Sequence, residues 1–410
     1  MHSHCVESAD YMSATKTPPL KGIKVIELGT LIAAPFCSRI LAEFGAEVIK
    51  IESPDGGDQL RQWRKMYEGT SLWWYVQSRN KKSLTLNLRS AEGQEIVRKL
   101  AQEADIVIEN FRPGALEKWN IGWEQLSAIN PRLIMVRLSG YGQTGPDRDK
   151  PGFGVIGESM GGLRYVTGYA DRPPVRLGVS IGDSIAALYG VIGAMMALQH
   201  RHASGRGQMV DVALYEAVFS MMESLVPEFD VLGFVRERAG NALPGIVPSN
   251  TYPTQDGKFV IIGANNDAIF KRLMNAMGRS DLADDVQLAT NAGRVPRTAE
   301  IDAAIGAWTA AHDLEVVLKA LDAVDVPAAK VYDVADIVSD AQYLARDMIE
   351  QHQLPDGKPV KLPGIVPKLS DTPGATEWIG PKLGEHTGEI LRGLGYDTAA
   401  QQALKARGVT

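Results

Sequence analysis

Cysteine is scarce in this chain of 410 residues. The two cysteines, Cys5 and Cys37, are too few for a disulfide framework and are typical of a reducing compartment. Cysteine and histidine nowhere have the spacing of a zinc site, so we expect no bound metal. Residues 1–18 lack the apolar core of a secretory signal and are interpreted as a disordered lead. The apolar stretch 184–198 is shorter than the roughly 20 residues of a membrane helix. We therefore expect a soluble cytoplasmic protein.

An excess of positive charge is also absent. The formal net charge is −6, which argues against a nucleic-acid-binding surface and leaves only local basic clusters as anion sites. The chain is 45% hydrophobic and 22% charged, as in soluble globular proteins, and it is long enough for a large core. Its length predicts two or three domains.

Strand and helix patterns alternate through the first third of the chain. We predict strands at 22–28, 46–52, 84–88, 105–109 and 133–138, and helices at 35–44, 91–104 and 123–129. This alternation indicates a parallel sheet covered by helices, which is a Rossmann-like α/β domain. The loop at 27–35 lacks the G-x-G-x-x-G spacing of a dinucleotide site, so no NAD site is expected.

The pattern changes in the middle of the chain. Residues 241–253 are predicted to form a loop, and Asp256-Gly257 a hairpin turn. Helices follow at 268–277, 300–311 and 314–324, so a smaller α+β domain is predicted over 241–331. Beyond residue 335 we expect helix, then irregular proline-rich chain at 355–381 and a last helix at 387–394.

Asp183 stands at the start of the apolar stretch. A carboxylate beside so much apolar sequence should be capped, paired or chemically used. One interpretation is a helix N-cap. The other is a nucleophile, which must be ionised to attack and which a helix N-terminus keeps ionised. The two interpretations can coexist.

Two basic clusters are candidate anion sites. Residues 79–83 (RNKKS) form either a solvated turn or a phosphate site. Residues 110–114 (NFRPG) directly follow a predicted strand, where α/β sheets bind ligands, and Arg112 binds either a phosphate or a nearby acid. The glycine-rich segment 140–146 (GYGQTGP) is either an ordinary turn or a loop that needs conformational freedom near a site.

Taken together, these segments resemble the class III CoA-transferases, the CaiB/BaiF family, from about Leu20 to the C-terminal end. The matching stretches are GAEVIKIE (45–52), RNKKSLTLNL (79–88), ENFRPG (109–114), GYGQTGP (140–146), GDSIAALYG (182–190), GRGQMVDVAL (205–214) and LGEHT (383–387). The resemblance implies an interlocked homodimer of open rings. It also implies a large domain that contains both chain ends: 19–225 and, after a linker, the remainder of 332–410. Residues 226–240 would link this domain to the smaller domain at 241–331.

The resemblance also implies a set of site residues. Asp183 matches the family's covalent nucleophile, and a CoA thioester is the substrate, with no further cofactor. Distal carboxylates of a dicarboxylic acid would need a cation, for which Arg61, Arg64 and Arg176 are candidates. The expected CoA contacts are Asn80, Lys81, Lys82, Asn110, Phe111, Arg112 and Lys118.

The family contains other activities, which the residues separate. α-Methylacyl-CoA racemases have a histidine where this chain has Phe153, which cannot transfer a proton. Formyl-CoA:oxalate transferases have a glutamine where this chain has Ile32 and an arginine where it has Ser53. The segment PVRLGVSIGDS and the loop at 241–248 are more similar to enzymes that move CoA from succinyl-CoA to other dicarboxylic acids. A catalytically inactive CoA-binding homologue is a further alternative.

Overall fold

The computed structural model describes residues 17–410, so the predicted disordered lead lies almost wholly outside the described residues. The chain forms two compact units. One contains the chain up to Gly161, Val179–Met222 and Met348–Thr410, and the other contains Gly162–Gly178 and Glu223–Asp347. This division differs from the predicted one, because residues 162–178 belong to the second unit and that unit is longer than 241–331.

The strands within residues 17–410 are short. In chain order they are β1 (Lys24–Glu27), β2 (Glu47–Glu52), β3 (Met66–Tyr67), β4 (Thr70–Ser71), β5 (Lys81–Thr85), β6 (Ile106–Glu109), β7 (Ile134–Ser139), β8 (Met209–Ala213), β9 (Ser249–Pro253), β10 (Phe259–Gly263), β11 (Ala328–Lys330), β12 (Ile349–Gln353) and β13 (Pro359–Pro363).

The α-helices of the described chain vary widely in length. They are α1 (Ala33–Glu43), α2 (Leu72–Gln77), α3 (Ala91–Ala101), α4 (Ala115–Lys118), α5 (Trp123–Ile129), α6 (Gly154–Met160), α7 (Ile181–Ser204), α8 (Leu214–Phe219), α9 (Leu225–Leu232), α10 (Asp267–Ala276), α11 (Ser280–Ala283), α12 (Asn291–Arg294), α13 (Thr298–Ala310), α14 (Leu314–Asp322), α15 (Val334–Ile337), α16 (Ala341–Ala345), α17 (Thr387–Gly393) and α18 (Thr398–Ala406). Short 3₁₀ turns lie at Gln59–Gln62, Val286–Leu288 and Val295–Arg297.

A six-stranded parallel sheet forms the first unit, which confirms the predicted α/β class. Its strand order is β5-β2-β1-β6-β7-β8. Helices cover both faces, so β6 and β7 are buried along their whole length and are rich in Ile and Val. The chain adds β2 and β5 on one side of β1, and β6, β7 and β8 on the other. The direction therefore reverses between β1 and β6, where α/β sheets commonly open a ligand crevice.

Helix α7 is longer than the apolar stretch that predicted it. Its 24 residues are long and apolar enough to cross a membrane by length and composition alone. One face packs instead on α1, β7 and β8 through small residues. A Cβ at Gly190 would lie 3.1 Å from the Cys37 sulfur, and one at Gly193 only 2.5 Å from Val210. Glycine thus lets the helix approach the sheet closely.

The second unit has a three-stranded antiparallel sheet of order β11-β10-β9. The predicted Asp256-Gly257 turn joins β9 to β10, with Gly257 at φ 73°. The predicted loop at 241–253 is wrong at its end, because β9 occupies Ser249–Pro253 and pairs along the whole of β10. Helices α10, α13 and α14 bury their apolar faces in one cluster with β10.

The C-terminal segment returns to the large sheet. The Ser83 amide donates to His386 Nδ1 at 3.2 Å, and the Thr85 amide donates to Thr387 Oγ1 at 3.1 Å. Two elements here were not predicted from the sequence. The hairpin of β12 and β13 lies partly in the proline-rich stretch, and α18 follows the helix that was expected to be the last.

Candidate active site

A cavity of about 360 Å³ opens at the carboxyl ends of β1, β2, β5 and β6. This is the edge of the sheet where the strand order reverses, and ligands bind there in open α/β sheets. Its lining includes Thr30 after β1, Ser53 after β2, Arg89 after β5, and Phe111 and Trp119 after β6.

Asn110 fixes the loop between β1 and α1. Its side chain accepts from the Thr30 amide at 2.8 Å and donates to the Thr30 carbonyl at 2.9 Å. A Cβ at Gly29 would lie 2.8 Å from Asn110 Oδ1, so this approach requires glycine. Leu31 adopts φ 64°, which is unusual for a bulky residue, and its amide donates to Asp58 Oδ1 at 3.0 Å. Such strain persists only where the surroundings hold it.

The loop after β6 presents two of the predicted CoA ligands to solvent. Arg112 and Lys118 are exposed, and Phe111 packs edge-on against Trp119 with ring centroids 5.2 Å apart. Burial raises the pKa of Glu109, the last residue of β6, to about 7, although Arg137 opposes that rise. The ionisation of this carboxylate therefore depends on its arginine partner.

The first basic cluster is buried rather than open to a ligand. Lys81 is fully buried, and its Nζ lies 2.8 Å from Glu27 Oε2 and 2.7 Å from the Pro35 carbonyl. Asn80 donates to the Ala375 carbonyl and accepts from two backbone amides of the C-terminal segment. These internal partners argue against the predicted contacts of Asn80 and Lys81 with CoA.

Lys82 also has internal partners. Its Nζ lies 2.9 Å from Glu47 Oε1 and 2.8 Å from Glu389 Oε1, and its side chain is 25% exposed. Burial lowers the pKa of Lys82, but hydrogen bonds to these two carboxylates outweigh burial and raise it overall. The charge is thus already neutralised, which argues against a role as a phosphate anchor.

Glu27 is the centre of this buried charge network. It accepts hydrogen bonds from Lys50 at 2.6 Å, Lys81 at 2.8 Å and Ser38 at 2.5 Å. Burial on its own would raise the pKa of Glu27, but the two ammonium groups lower it to about 2. Lys50 also pairs with Asp58 at 2.7 Å, which connects the network to the β1–α1 loop.

The three candidate arginines have different environments. Arg61 donates to both carboxylate oxygens of Glu52, at 2.7 and 2.9 Å, and stacks on the Trp74 ring at 3.7 Å. Its fork is already used, which argues against the predicted contact with a substrate carboxylate. Arg64 is exposed above the Trp73 ring, at 4.7 Å. Arg176 is exposed and belongs to the second unit.

Asp183 lies half-buried in the first turn of α7. The interpretation as an N-cap is wrong, because Ser180 occupies the cap position. A Cβ at Gly154 would lie 2.1 Å from Asp183 Oδ2, so glycine is required beside the carboxylate. A Cβ at Gly182 would lie 3.0 Å from the Gly154 carbonyl oxygen. The helix N-terminus favours the ionised carboxylate, and Gly154 lets the backbone pack closely against it without a clash.

The glycine-rich loop at 140–146 supports this arrangement. A Cβ at Gly140 would lie 2.7 Å from the Gly152 Cα, so the loop packs against the segment leading to α6. The Gln143 amide donates to Asp211 Oδ2 at 2.9 Å and anchors the loop to β8. Phe153, at the N-cap position of α6, is 67% exposed, so a side chain without a titratable group stands next to Gly154.

Two residues of the cleft were missed from the sequence. Arg89 is an exposed cation in the cleft lining, and Trp119 supports Phe111 there. The usable signal was the position of Arg89 directly after the predicted strand 84–88, which is the kind of signal that made Arg112 a candidate. Across residues 17–410, no group of three or more His, Cys, Asp or Glu side chains could hold a metal ion.

Known proteins that are similar in sequence to this chain include CoA-transferases. Succinyl-CoA–D-citramalate CoA-transferase of Chloroflexus aurantiacus is 50% identical over 399 residues, which cover 96% of this chain and 99% of that protein. Succinate–glutarate CoA-transferase of Agrobacterium fabrum is 36% identical over 92% of this chain and 96% of that protein.

A solved structure and a family match agree with these relatives. The crystal structure of a CAIB/BAIF family protein from Brucella suis has a TM-score of 0.82 and 36% identity, and the match covers 92% of this chain and all of that one. Residues 20–387 match CoA-transferase family III. The chain therefore belongs to CoA-transferase family III, the CaiB/BaiF family, as its sequence motifs predicted.

Proposed function

We propose that the protein transfers CoA from succinyl-CoA to a C4–C6 dicarboxylic acid. The observation that supports this most is the 50% identity, over nearly the whole chain, to a transferase named for succinyl-CoA and D-citramalate. Further relatives are named for L-malate, glutarate and mesaconate, which are all dicarboxylic acids.

Asp183 is the proposed nucleophile. Its carboxylate attacks the thioester carbonyl of succinyl-CoA, the carbon–sulfur bond breaks, and a mixed anhydride and CoA thiolate form. The thiolate attacks the Asp183 carbonyl, which releases succinate and leaves an aspartyl-CoA thioester. The acceptor carboxylate attacks that thioester, forming a second anhydride and releasing the thiolate. The thiolate then takes the new acyl group and frees Asp183, so covalent catalysis divides one difficult exchange into easier steps.

The cleft at the carboxyl ends of the strands is the proposed CoA site. It has apolar and aromatic surface at Phe111 and Trp119, and Arg89 supplies positive charge in its lining. Arg112 and Lys118 are exposed on the same loop as Phe111. Asn110 contributes by fixing the β1–α1 loop, and arginine suits phosphate groups because of its planar donor fork.

Arg176 is the proposed partner of the distal carboxylate of the acceptor. Arg61 is buried and donates to Glu52, and Arg64 and Arg176 are exposed to solvent. Arg176 is favoured because it shortly precedes Asp183 in the chain. A monocarboxylic acid lacks the second carboxylate that this contact would recognise, so selection for dicarboxylic acids should be strong.

The alternative activities have less support. Phe153 next to Gly154 provides no base for a racemase. Ile32 and Ser53 replace the glutamine and arginine of the oxalate-type transferases. The inactive-homologue alternative is less favoured because Asp183 stands in its full motif.

A homodimer is the proposed assembly, and the cytoplasm the proposed location. Apolar side chains of α7 remain exposed, with Met196 67% and Ile192 46% accessible. In the second unit, Val231 and Leu232 of α9 are 75% and 74% accessible. Exposed apolar side chains of this kind, on each unit by itself, support an interaction surface. Light scattering that shows a dimer would support this assembly, and interlocking remains a prediction.

One experiment tests the reaction and the substrate class together. Wild type and Asp183→Ala are incubated with succinyl-CoA and a panel of acceptors, and new thioesters are detected by mass spectrometry. We expect citramalate, malate or glutarate to be used with far higher kcat/KM than butyrate or formate, and Asp183→Ala to be inactive but folded. Monocarboxylic acids that equal every dicarboxylic acid would contradict the substrate class alone.

A further inference from the structure

A single arginine ties together both ends of the loop that follows β6. Arg137, on the neighbouring strand β7, donates from Nε to Glu109 Oε1 at 2.7 Å. Its two terminal nitrogens donate to the carboxylate of Glu117, at 2.7 and 3.2 Å. Glu109 is the last residue of β6, and Glu117 belongs to α4, so the guanidinium spans the loop between them.

Glu109, which Arg137 binds, also fixes the start of the loop. Glu109 Oε2 accepts from the Phe111 amide at 2.7 Å, so one carboxylate binds both the arginine and the loop backbone. Gly114 turns the chain into α4 with φ 84°. A Cβ at Gly122 would lie 2.8 Å from Glu117 Oε1, so glycine at this position makes room for the contact between Glu117 and Arg137. The contacts of Arg137 with Glu109 and Glu117 are called the Arg137 bridge.

The Arg137 bridge lies apart from the exposed side chains of the loop. Arg137 and Glu109 are buried, at 4% and 1% accessibility, while Arg112 and Lys118 of the same loop are exposed. Phe111 lies between, with its amide on Glu109 and its side chain in the cleft lining. The buried charges therefore hold the loop backbone, while the Phe111 side chain lines the cleft.

We propose that Arg137 is a positioning residue for CoA, which fixes the loop 110–118 through Glu109 and Glu117 in the conformation that binds the nucleotide part of the thioester. This inference rests on the proposed placement of CoA in the cleft. A loop that is already ordered loses less conformational entropy on binding, so the bridge strengthens CoA affinity without touching CoA. Since it contributes equally to the ground state and the transition state, it affects KM rather than kcat.

Glu117→Gln is the most informative variant. It keeps the size of the side chain but removes the bidentate carboxylate, and Arg137 retains Glu109, so no buried charge is left without a partner. In the full-length protein we expect Kd for free CoA and KM for succinyl-CoA to rise by about 5- to 30-fold. We expect kcat to stay within about twofold of wild type, because the reacting atoms are untouched.

A matched control removes a similar ion pair elsewhere in the same unit. Arg98 of α3 binds Glu95 at 2.9 Å, and both side chains are partly exposed, at 23% and 50%. Glu95→Gln should leave CoA affinity unchanged. Arg89→Ala serves as the positive control, because it removes a charge that lines the cleft.

The outcomes separate the inference from the proposed function. Weaker CoA binding in Glu117→Gln and Arg89→Ala, but not in Glu95→Gln, supports the positioning role. If Glu117→Gln binds CoA with wild-type affinity and Arg89→Ala binds CoA more weakly, the positioning role is overturned and the CoA site is retained. Equal losses in Glu117→Gln and Glu95→Gln overturn it as well, because the effect would then be general. Unchanged affinity in Arg89→Ala and Glu117→Gln overturns the CoA placement and the inference with it.

Discussion

Two basic segments of the large unit look alike in sequence and differ in structure. The segment 79–83 directs its cations towards carboxylates of the same chain, and Arg79 and Lys81 are each at most 1% accessible. The segment 110–118 instead leaves Arg112 and Lys118 exposed to solvent, and its Phe111 lines the cleft. The partners of the first segment come from remote parts of the chain, such as Glu27 and Glu389. A basic cluster therefore predicts an anion site only where the fold has not already neutralised it.

Lys81→Met should have the largest effect and should act on stability alone. It removes one of the two ammonium groups that neutralise Glu27 in the buried network. Breaking a buried ion pair costs about 3–5 kcal/mol of the free energy of unfolding, which urea denaturation measures. The folded fraction should bind CoA as wild type does. A stable variant that loses CoA affinity would show that Lys81 contacts the ligand after all.

Arg89→Ala and Arg112→Ala should show the opposite pattern. Each removes an exposed cation, and a charge-assisted hydrogen bond contributes about 1.5–3 kcal/mol, so CoA affinity should fall roughly 10- to 150-fold. Exposed side chains contribute little to folding, so the free energy of unfolding should change by no more than about 0.5 kcal/mol. Calorimetry with free CoA measures the affinity, and unchanged affinity in both variants would remove the distinction between the two segments.

Acid should destabilise the buried network in a defined pH range. The folded-state pKa of Glu27 is about 2 against an ordinary value of 4.5, so the unfolded chain takes up the proton first. The stabilisation is complete above the ordinary value and is lost as the pH falls through the folded-state value. The urea midpoint should stay constant from neutral pH down to about pH 4.5 and should decrease between there and pH 3. The decrease should be less steep in Lys81→Met. Parallel curves for the two proteins would contradict the pairing.

Lys82→Met should have the smallest effect, although it lies in the same segment as Lys81. Its partners Glu47 and Glu389 are 45% and 59% exposed, and surface ion pairs contribute about 0–1 kcal/mol to folding. CoA affinity should not change, because the ammonium group is already paired. A tenfold or greater loss of CoA affinity in this variant would show that Lys82 contributes to CoA binding.

The sequence predicted most of the large sheet, because buried parallel strands are continuous apolar runs. Helix α5 covers the predicted residues 123–129. Strand β5 was placed three residues too late, because the polar start of Lys81–Thr85 is buried by ion pairing that the local sequence does not show. Helix α18 was missed because only Leu404 of its residues is buried, which leaves a weak apolar pattern.

The candidate site was predicted in part. The motif made Asp183 the candidate nucleophile, and the structure adds that Gly154 packs closely against its carboxylate. Arg89 was not selected, although it directly follows the predicted strand 84–88. Arg61 was a candidate because the local sequence does not show that it pairs with Glu52. That contact exists only in the folded chain. Charge pairing across the fold accounts for the misplaced strand and for Arg61.

The most direct test of the account is the identity of the covalently modified residue. The full-length protein is incubated with succinyl-CoA, quenched in acid, and analysed by intact mass and peptide mapping. We expect one CoA attached to Asp183, released by hydroxylamine and absent from Asp183→Ala, which should also be inactive. Covalent CoA on another residue, or transfer at the wild-type rate by Asp183→Ala, would contradict it.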